Sequence, residues 1–303
     1  MAFLLESGMN TVNGNTSIYA ILGDPIRHSM SPVLMNRNFG RDGLDKVFLA
    51  LPANLNDFDQ VFAVLKRLGF AGYVFTMPVK EIALGHMDAL TTEAEIIGAV
   101  NCAVSVGGRL VGSNTDSIGF WQAVQAANAN RMAIGKLFVL GCGGFAKAAV
   151  AQGAIQGVGE IVVATKLGEK AFVDSFRRFQ DRMSRHVPDV RITLVDWIPS
   201  AWEEHLGSCD LIANGTPNGM GEQGDLHEIF PYSAVKPDSM FFDAIYYPRE
   251  TKFLKTAKEQ GHICIEGLDL LVHQGAVSYE TFTGNEADPA VMMEDVLAFF
   301  ERA

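Results

Sequence analysis

The residue types best suited to moving a proton stand at two predicted helix starts. Lys80 lies in the first turn of a helix predicted over Val79–Asp88, where a cation opposes the helix dipole. Asp116 stands just before an amphipathic run from Ile118 to Ala127. Each residue also has a plain structural interpretation, because a surface lysine is simply solvated and an aspartate before a helix is usually an N-cap. The surrounding elements must decide between the two interpretations.

Asp116 closes a segment that predicts a β-hairpin. Strands near Val100–Val106 and Leu110–Gly112 flank Gly107-Gly108, and a glycine pair favours a tight turn. Asn101 stands at the start of this hairpin. Asp116 therefore lies where a strand gives way to a helix, a place that can hold a side chain for chemistry as well as for capping.

The first hundred residues alternate between apolar runs and amphipathic stretches. Ser31 before Pro32 predicts a helix start, with the serine as N-cap and the proline at the first helical position. This βαβαβ rhythm predicts a parallel sheet with helices on its faces. The predicted strands are Ser17–Leu22, Lys46–Leu51 and Phe70–Phe75.

A second α/β pattern begins at Gly135. Lys136–Leu140 predicts a strand that runs into Gly141-Cys142-Gly143-Gly144-Phe145-Ala146, and a helix follows over Lys147–Gln156. Glycines at such positions let backbone N–H groups approach a pyrophosphate at a helix N-terminus. The next element, Glu160–Ala164, is again a strand, which completes a βαβ unit of about 30 residues. The segment therefore predicts a dinucleotide-binding turn.

The residues that follow this last strand bear on which dinucleotide binds. An NAD site usually places an acidic residue at this strand end, where it holds the ribose 2′-hydroxyl. Here the chain reads Ala164-Thr165-Lys166-Leu167-Gly168-Glu169-Lys170, with no acid immediately at the strand end and two lysines nearby. The sequence slightly favours the 2′-phosphate of NADP, and Glu169 leaves NAD open.

Composition argues against several kinds of partner. The 303 residues include 24 Lys and Arg against 35 Asp and Glu, and the net charge of −11 argues against nucleic acid or an anionic membrane as partner. No apolar stretch approaches the roughly 18 residues of a membrane span. The four cysteines form no CxxC pair and the seven histidines lack zinc-binding spacing, so no metal site is expected. Residues 1–16 are predicted to be a loose leader without a secretory signal, and the protein is predicted to be cytoplasmic.

Seven motifs together resemble those of the shikimate dehydrogenase family. They occur in the family's order, and the resemblance covers about residues 18–300. The motifs are His28-Ser29-Met30-Ser31-Pro32, Thr76-Met77-Pro78-Val79-Lys80, Gly98-Ala99-Val100-Asn101, Asn114-Thr115-Asp116, Gly141-Cys142-Gly143-Gly144, Asn214-Gly215-Thr216-Pro217-Asn218-Gly219-Met220 and Gly267-Leu268-Asp269-Leu270-Leu271-Val272-His273-Gln274.

The resemblance implies an α/β fold of two domains separated by a cleft in which the substrate lies. Residues 17–116 and 268–303 would form the substrate and catalytic domain, with a parallel or mixed sheet. Residues 117–267 would form a Rossmann-type NAD(P)-binding domain. The implied activity is the reversible NAD(P)-dependent oxidation of shikimate or quinate, which are small cyclic hydroxy acids, to the 3-dehydro ketone.

The resemblance also implies roles for individual residues. Lys80 and Asp116 would form the catalytic pair, in which the lysine moves the proton of the reacting hydroxyl and the aspartate orients it and stabilises its charged form. Ser29 and Ser31 would donate hydrogen bonds to the substrate carboxylate. The full set implied to bind substrate is Ser29, Ser31, Thr76, Lys80, Asn101, Asp116, Tyr246 and Gln274. The set implied to bind the cofactor is Gly141, Cys142, Gly143, Gly144, Phe145, Ala164, Thr165, Lys166, Leu167, Ala244, Ile245 and Gly267.

Three departures from the family pattern bear on the substrate. Val74 stands where the family usually has asparagine, Met35 replaces a common histidine or glutamine, and Asp269 replaces a glycine. Met77 and the tract Ala151–Gly157 look more like the quinate/shikimate branch than the strictly biosynthetic one. Two alternatives stay open: a paralogue that acts on a related cyclic hydroxy acid, and a dinucleotide-binding regulatory module without catalysis. Homodimer formation also stays open.

Overall fold

The structure is a computed structural model that describes residues 12–130, 132–221 and 224–301. Residues 1–11, which are most of the predicted leader, lie outside these ranges. The strands are β1 (Ser17–Gly23), β2 (Lys46–Pro52), β3 (Gly72–Phe75), β4 (Ala89–Leu90), β5 (Cys102–Val106), β6 (Arg109–Ser113), β7 (Lys136–Leu140), β8 (Glu160–Thr165), β9 (Arg191–Asp196), β10 (Leu211–Asn214), β11 (Met240–Asp243) and β12 (Ile263–Ile265). The α-helices are α1 (Ser31–Arg41), α2 (Phe58–Arg67), α3 (Lys80–Leu84), α4 (Thr92–Ile97), α5 (Thr115–Ala127), α6 (Gly144–Ile155), α7 (Lys170–His186), α8 (Pro199–Leu206), α9 (Lys252–Glu259), α10 (Gly267–Thr283) and α11 (Pro289–Phe300).

The chain divides into two compact units. The first unit contains the described residues up to Ala94, residues Ala99–Thr115 and the described residues from Gly275 onward. The second unit contains Glu95–Gly98 and Asp116–Gln274. Each unit holds one six-stranded sheet of described residues.

The sheet of the first unit is mixed, with strand order β2-β1-β3-β5-β6-β4. Strand β1 pairs in parallel with β2 and β3, as the βαβαβ rhythm predicts. Strand β5 runs antiparallel to both β3 and β6, which confirms the predicted hairpin. The two glycines of its turn have φ of 57° at Gly107 and 80° at Gly108, a backbone conformation that residues other than glycine rarely adopt.

Alternation along β3 places its aromatic side chains on one face of the sheet. Tyr73 and Phe75 are buried with Phe58 and Phe62 of α2, and the two phenylalanine rings of α2 stack at 5.2 Å. On the other face, a Cβ on Gly72 would meet the ring of Phe282 at 2.8 Å. The backbone of β3 is therefore clamped between two apolar layers, so the residues that follow it begin from a fixed position.

The sheet of the second unit is entirely parallel, with order β12-β11-β10-β7-β8-β9. Numbered from its first strand, this is the 3-2-1-4-5-6 order of the doubly wound dinucleotide-binding fold. In such sheets ligands bind at the carboxyl ends of the strands, where the order reverses, which here is the junction of β7 and β10. The predicted fold class, an α/β protein with a mixed sheet and a Rossmann-type sheet, is confirmed.

One predicted helix is much shorter than its sequence pattern suggests. The prediction over Val79–Asp88 is wrong in length, because α3 ends at Leu84. The N–H groups of Gly85 and His86 bond three residues back instead of four, and the N–H of Asp88 donates to the carbonyl of Leu110 at 2.8 Å. Pairing of the following residues with β6 thus ends the helix early.

Candidate active site

Lys80 is the first residue of α3, and its backbone is anchored on both sides. Upstream, the Val79 N–H donates to the Thr76 carbonyl at 3.0 Å. The Lys80 carbonyl itself accepts from the Val100 N–H at 2.9 Å. Val100 directly precedes Asn101, so this hydrogen bond brings the backbone of Lys80 close to that of Asn101 within the first unit. The side chain of Lys80 is half-buried.

Thr76 follows β3 and is packed against the end of β1. Its N–H donates to the Leu22 carbonyl at 2.9 Å. A Cβ on Gly23 would overlap the Thr76 methyl group and lie 2.6 Å from the Met77 carbonyl oxygen, so only glycine fits there. The side chain of Thr76 is half-buried. Glycine at the end of β1 therefore fixes where this hydroxyl stands.

Ser31 does not cap α1 in the way its sequence predicts. The helix begins at Ser31, the N-cap is Met30, and Met30's carbonyl already accepts from the Leu34 N–H at 3.1 Å. The Ser29 hydroxyl oxygen instead accepts from the Ser31 N–H at 3.3 Å. The N-cap prediction is wrong because the chain turns into the helix one residue earlier. Both serines stay at the N-terminal end of α1, where an anion is favoured.

Asn101 is 1% exposed and exchanges two hydrogen bonds with Thr115. Its Oδ1 accepts from the Thr115 N–H at 2.5 Å, and its Nδ2 donates to Thr115 Oγ1 at 2.9 Å. Thr115 Oγ1 in turn lies 2.9 Å from the Ser278 hydroxyl of α10. A polar network that is satisfied in this way holds its members in one arrangement.

Asp116 is the second residue of α5, so it is not the N-cap. A carboxylate in the first turn interacts favourably with the helix dipole.

Gln274 is buried on α10, and its Nε2 donates to the Leu271 carbonyl at 2.7 Å. In the second unit a Cβ on Gly119 would overlap the backbone of Gln274. Glycine at position 119 therefore lets α5 and α10 approach closely at Gln274.

Tyr246 and Tyr247 differ in their surroundings, which the sequence alone did not separate. Tyr247 is 74% exposed, whereas Tyr246 is half-buried and its burial raises the pKa of its hydroxyl. The backbone of the Ile245–Tyr246 peptide lies against Gly267, where a Cβ would overlap it. Gly267, Ile245 and Tyr246, all predicted site residues, are thus brought together in the second unit.

The turn after β7 has the geometry of a pyrophosphate cradle. Gly141 has φ of 97°, its N–H donates to the Ala164 carbonyl at 2.8 Å, and a Cβ there would lie 2.8 Å from Thr216 Cγ2. Gly143 is the N-cap of α6 and no side chain caps that helix. A Cβ on Gly143 or Gly144 would meet nothing within 4 Å. The backbone N–H groups at this helix start are therefore accessible to an anion, which is the fit that a bound NAD(P) pyrophosphate requires.

Beside that turn, the end of β8 carries both a cation and a carboxylate. Ala164 and Thr165 are buried, and the Thr165 hydroxyl lies 3.0 Å from the sulfur of Cys142. Lys166 and Leu167 are exposed, and Lys166 Nζ lies 3.5 Å from Glu169 Oε1. A cation and a carboxylate are therefore both present at this strand end.

Two acidic residues in the second unit are not among the site residues predicted from the sequence. Asp196 ends β9 opposite Thr165 and accepts from the Leu167 N–H at 3.1 Å. Asp243 ends β11 with no exposed surface and accepts from Thr251 Oγ1 at 2.7 Å, from Asn214 Nδ2 at 3.0 Å and from the Ile245 N–H at 3.1 Å. Burial raises the pKa of Asp243 to about 7. Their place at strand ends of a parallel sheet was the signal that could have found them.

Some features are absent from the part of the chain that the structure covers. Over residues 12–130, 132–221 and 224–301, no group of three or more His, Cys, Asp and Glu side chains is placed to hold a metal ion. In the same ranges no helix is long and apolar enough to cross a membrane.

The fold and the glycine turn define a two-unit α/β protein of the dinucleotide-binding class. Residues 21–103 match the shikimate dehydrogenase substrate binding domain, and residues 267–297 match the shikimate 5'-dehydrogenase C-terminal domain. The NADP(+)-dependent shikimate dehydrogenase of Desulforamulus reducens is 31% identical over 290 residues, which cover 94% of this chain and 96% of that protein. That of Streptococcus pneumoniae is 31% identical over 277 residues, with 91% and 94% covered.

Solved structures of shikimate and quinate dehydrogenases have a similar fold. The Listeria monocytogenes shikimate 5-dehydrogenase in complex with shikimate and NAD is 28% identical, with a TM-score of 0.86 over 94% of this chain and 98% of that one. Quinate dehydrogenase from Corynebacterium glutamicum in complex with NAD, at 24% identity, shares the fold with a TM-score of 0.83 over 93% of this chain and 99% of that one. The chain belongs to the shikimate dehydrogenase family, as its motifs predicted.

Proposed function

We propose that this protein catalyses the reversible NAD(P)-dependent oxidation of shikimate, quinate or both to the corresponding 3-dehydro ketone. The observation that carries the proposal is the open glycine turn at the start of α6, in a chain 31% identical to NADP(+)-dependent shikimate dehydrogenases. The turn supplies a dinucleotide site, and the relatives supply the substrate class. Residues 17–116 with 268–303 would form the substrate and catalytic domain, and residues 117–267 the NAD(P)-binding domain.

The cofactor proposal is NADP in preference to NAD. The glycine turn would bind the pyrophosphate through backbone N–H groups, and the end of β8 would meet the adenosine ribose. Lys166 supports a 2′-phosphate there, and the names of the relatives support the same choice. Glu169, 3.5 Å from Lys166, keeps binding of NAD within reach. When bound, the nicotinamide would accept a hydride from the ring carbon of the substrate.

Lys80 and Asp116 are proposed to handle the proton. Oxidation of an alcohol by hydride loss also releases the hydroxyl proton, and reduction needs its return. Lys80 would take and return this proton through its amine. Asp116 would stabilise the charged lysine, since an adjacent carboxylate favours the ammonium form. Retention of both residues speaks against a catalytically silent regulatory module.

The remaining polar residues are proposed to orient the ring. Ser29 and Ser31 would bind the substrate carboxylate with their hydroxyls at the start of α1. Asn101, Thr76, Tyr246 and Gln274 would bind ring hydroxyls. Val74 and Met35, two of the three departures from the family pattern, are 5% and 1% exposed, so they would act through packing and not by direct polar contact.

Steady-state assays of the purified protein with shikimate and with quinate, each with NADP and with NAD, test the proposal. We expect turnover with at least one acid and a higher kcat/KM with NADP. Measurable dinucleotide binding with no activity in any of the four assays would refute oxidation of shikimate and quinate by this protein. Activity on another cyclic hydroxy acid alone would favour the paralogue. A homodimer and a cytoplasmic location stay predictions, and light scattering tests the first.

A further inference from the structure

Thr115 and Ser278 have no role in the proposed reaction, yet both are fully buried polar residues beside Asn101. Thr115 starts α5 and Ser278 lies on α10, and both belong to the first unit together with Asn101. Burial of hydroxyl groups is costly unless they are hydrogen-bonded. Their position therefore calls for a reason beyond helix packing.

The donors in this network determine how the Asn101 amide is oriented. The Thr115 N–H can only donate, so the atom 2.5 Å from it must be the amide oxygen. The amide nitrogen then faces Thr115 Oγ1 at 2.9 Å, and that oxygen must accept. The Thr115 hydroxyl hydrogen is left to donate to Ser278 Oγ at 2.9 Å. Each hydrogen bond therefore fixes the direction of the next one.

One donor of the Asn101 amide is not used inside this network. The Nδ2 group has two hydrogens, and the Thr115 contact uses one of them. Among the described residues, the Asn101 side chain makes hydrogen bonds only to Thr115. Its backbone N–H donates to Ser113 and its backbone carbonyl accepts from Phe75. A buried amide hydrogen held in a fixed direction can recognise a hydroxyl oxygen of a ligand.

We propose that Thr115 and Ser278 are positioning residues that fix the Asn101 amide so that its second N–H binds a ring hydroxyl of the substrate. The inference rests on the proposed function. Specificity for the cyclic acid would then depend on the hydroxyls of Thr115 and Ser278, which need not touch the substrate. The same contacts hold the first turn of α5, whose next residue is Asp116, and Ser278 lies one helical turn after Gln274.

Substitutions of the two hydroxyls test the proposal in the full-length protein. Thr115→Val removes the hydroxyl and keeps the branched shape, whereas Thr115→Ser keeps the hydroxyl. For Thr115→Val and Ser278→Ala we expect kcat/KM for the cyclic acid to fall about 10-fold, as for a lost hydrogen bond in a buried site, with KM for NADP changed less than about 2-fold. Thr115→Ser should restore most of the lost kcat/KM.

A matched control separates positioning from general destabilisation. Ser239 is also buried and donates to the Cys209 carbonyl at 2.8 Å, but it lies in the second unit, outside the proposed substrate residues. Ser239→Ala should lower the melting temperature and leave kcat/KM for the acid unchanged. Equal kcat/KM values for Ser278→Ala, Ser239→Ala and the unaltered protein would overturn the inference.

A double-mutant cycle shows whether Thr115 acts through Asn101. In an Asn101→Ala background, Thr115→Val should cost little further kcat/KM, because the amide that it orients is gone. If the fold-losses in kcat/KM of the two single variants multiply in the double variant, the proposal is contradicted. If Thr115→Val does not fold, as judged by circular dichroism, the cycle is run with Ser278→Ala. Absence of activity in the unaltered protein would refute the proposed function instead, so the two failures are distinguishable.

Discussion

The two units present their polar groups in opposite ways. In the first unit, Asn101 is 1% exposed, and its amide is oriented by the N–H and the hydroxyl of Thr115, whose hydroxyl also contacts that of Ser278. In the second unit, the turn around Gly143 and Gly144 offers backbone N–H groups, and no side chain caps them. A site made of side chains is lost when one hydrogen-bonding atom changes. A site made of backbone survives most side-chain changes and fails where an added Cβ does not fit.

The comparison also separates two kinds of chemistry. Recognition of a particular ring needs donors at fixed angles, which buried side chains supply at the cost of a network that must be complete. A pyrophosphate needs several donors and a positive end of a helix, which any glycine turn before a helix supplies. The residues proposed to bind the substrate are therefore expected to be the more sensitive to conservative substitution.

The largest effect is expected for Lys80→Ala. Loss of the group that moves the proton should lower kcat by about 10²–10⁴-fold, the usual contribution of a general acid–base group. The affinity for NADP should stay within about 2-fold, because Lys80 would act at the reacting oxygen and not at the pyrophosphate. Steady-state kinetics and fluorescence titration with NADPH measure the two quantities. Lys255→Ala, on the exposed part of α9, is the control. Unchanged kcat for Lys80→Ala would remove its proposed role.

The next largest effect is expected for Gly141→Ala, which attacks the backbone site. The residue has φ of 97° and its new methyl group would lie 2.8 Å from Thr216 Cγ2, so the turn must shift. We expect KM for NADP to rise about 10-fold or more, with KM for the cyclic acid little changed. Gly157→Ala is matched in backbone strain, since φ there is 94° with open space around it. If both variants bind NADP equally well, the cradle is misassigned.

A smaller effect, on cofactor choice, is expected at the end of β8. Lys166→Ala should raise KM for NADP about 5-fold and leave KM for NAD nearly unchanged, because the lysine would bind a 2′-phosphate that NAD lacks. Glu169→Gln should shift the preference further toward NADP, since it removes a negative charge 3.5 Å from Lys166. Parallel kinetics with both cofactors give the ratio. Equal changes for NAD and NADP would remove the basis for preferring NADP.

The smallest effect on turnover is expected for Asp243→Asn, which changes the buried carboxylate that accepts from Asn214 Nδ2 at 3.0 Å. The pKa of Asp243 is raised by burial to about 7, above the value of about 4 in an unfolded chain, so the native state binds the proton more tightly. Its contribution to stability is full below about pH 4 and is lost as the pH rises through about 7. Asparagine does not titrate, so the variant should lose this part of the pH dependence.

Urea unfolding of both proteins between about pH 4 and pH 8 measures the difference. The free energy of unfolding of the unaltered protein should fall relative to that of Asp243→Asn as the pH rises across this range. Parallel curves would show that Asp243 does not titrate with a raised pKa. A large loss of NADP affinity in the variant would show that dinucleotide binding depends on the Asp243 carboxylate.

Most elements could be predicted because their patterns are local. The hairpin followed from Gly107-Gly108, and the strand–turn–helix followed from the glycines after β7. The errors came where contacts distant in sequence decide. Helix α3 ends at Leu84 because the chain then pairs with β6, and Ser31 is not an N-cap because Met30 already begins the turn. The local sequence pattern shows neither the pairing with β6 nor the turn that begins at Met30.

The sequence by itself determined the family and the fold class, and it supplied the residues that are proposed for the site. These depend on residue type and spacing along the chain. Only the tertiary structure decided how polar groups are paired. Thr115 bonds to Asn101, 14 positions away, and to Ser278, 163 positions away. Such pairs form because both helices bury their polar groups at one place, and a buried donor must find the acceptor that folding brings to it.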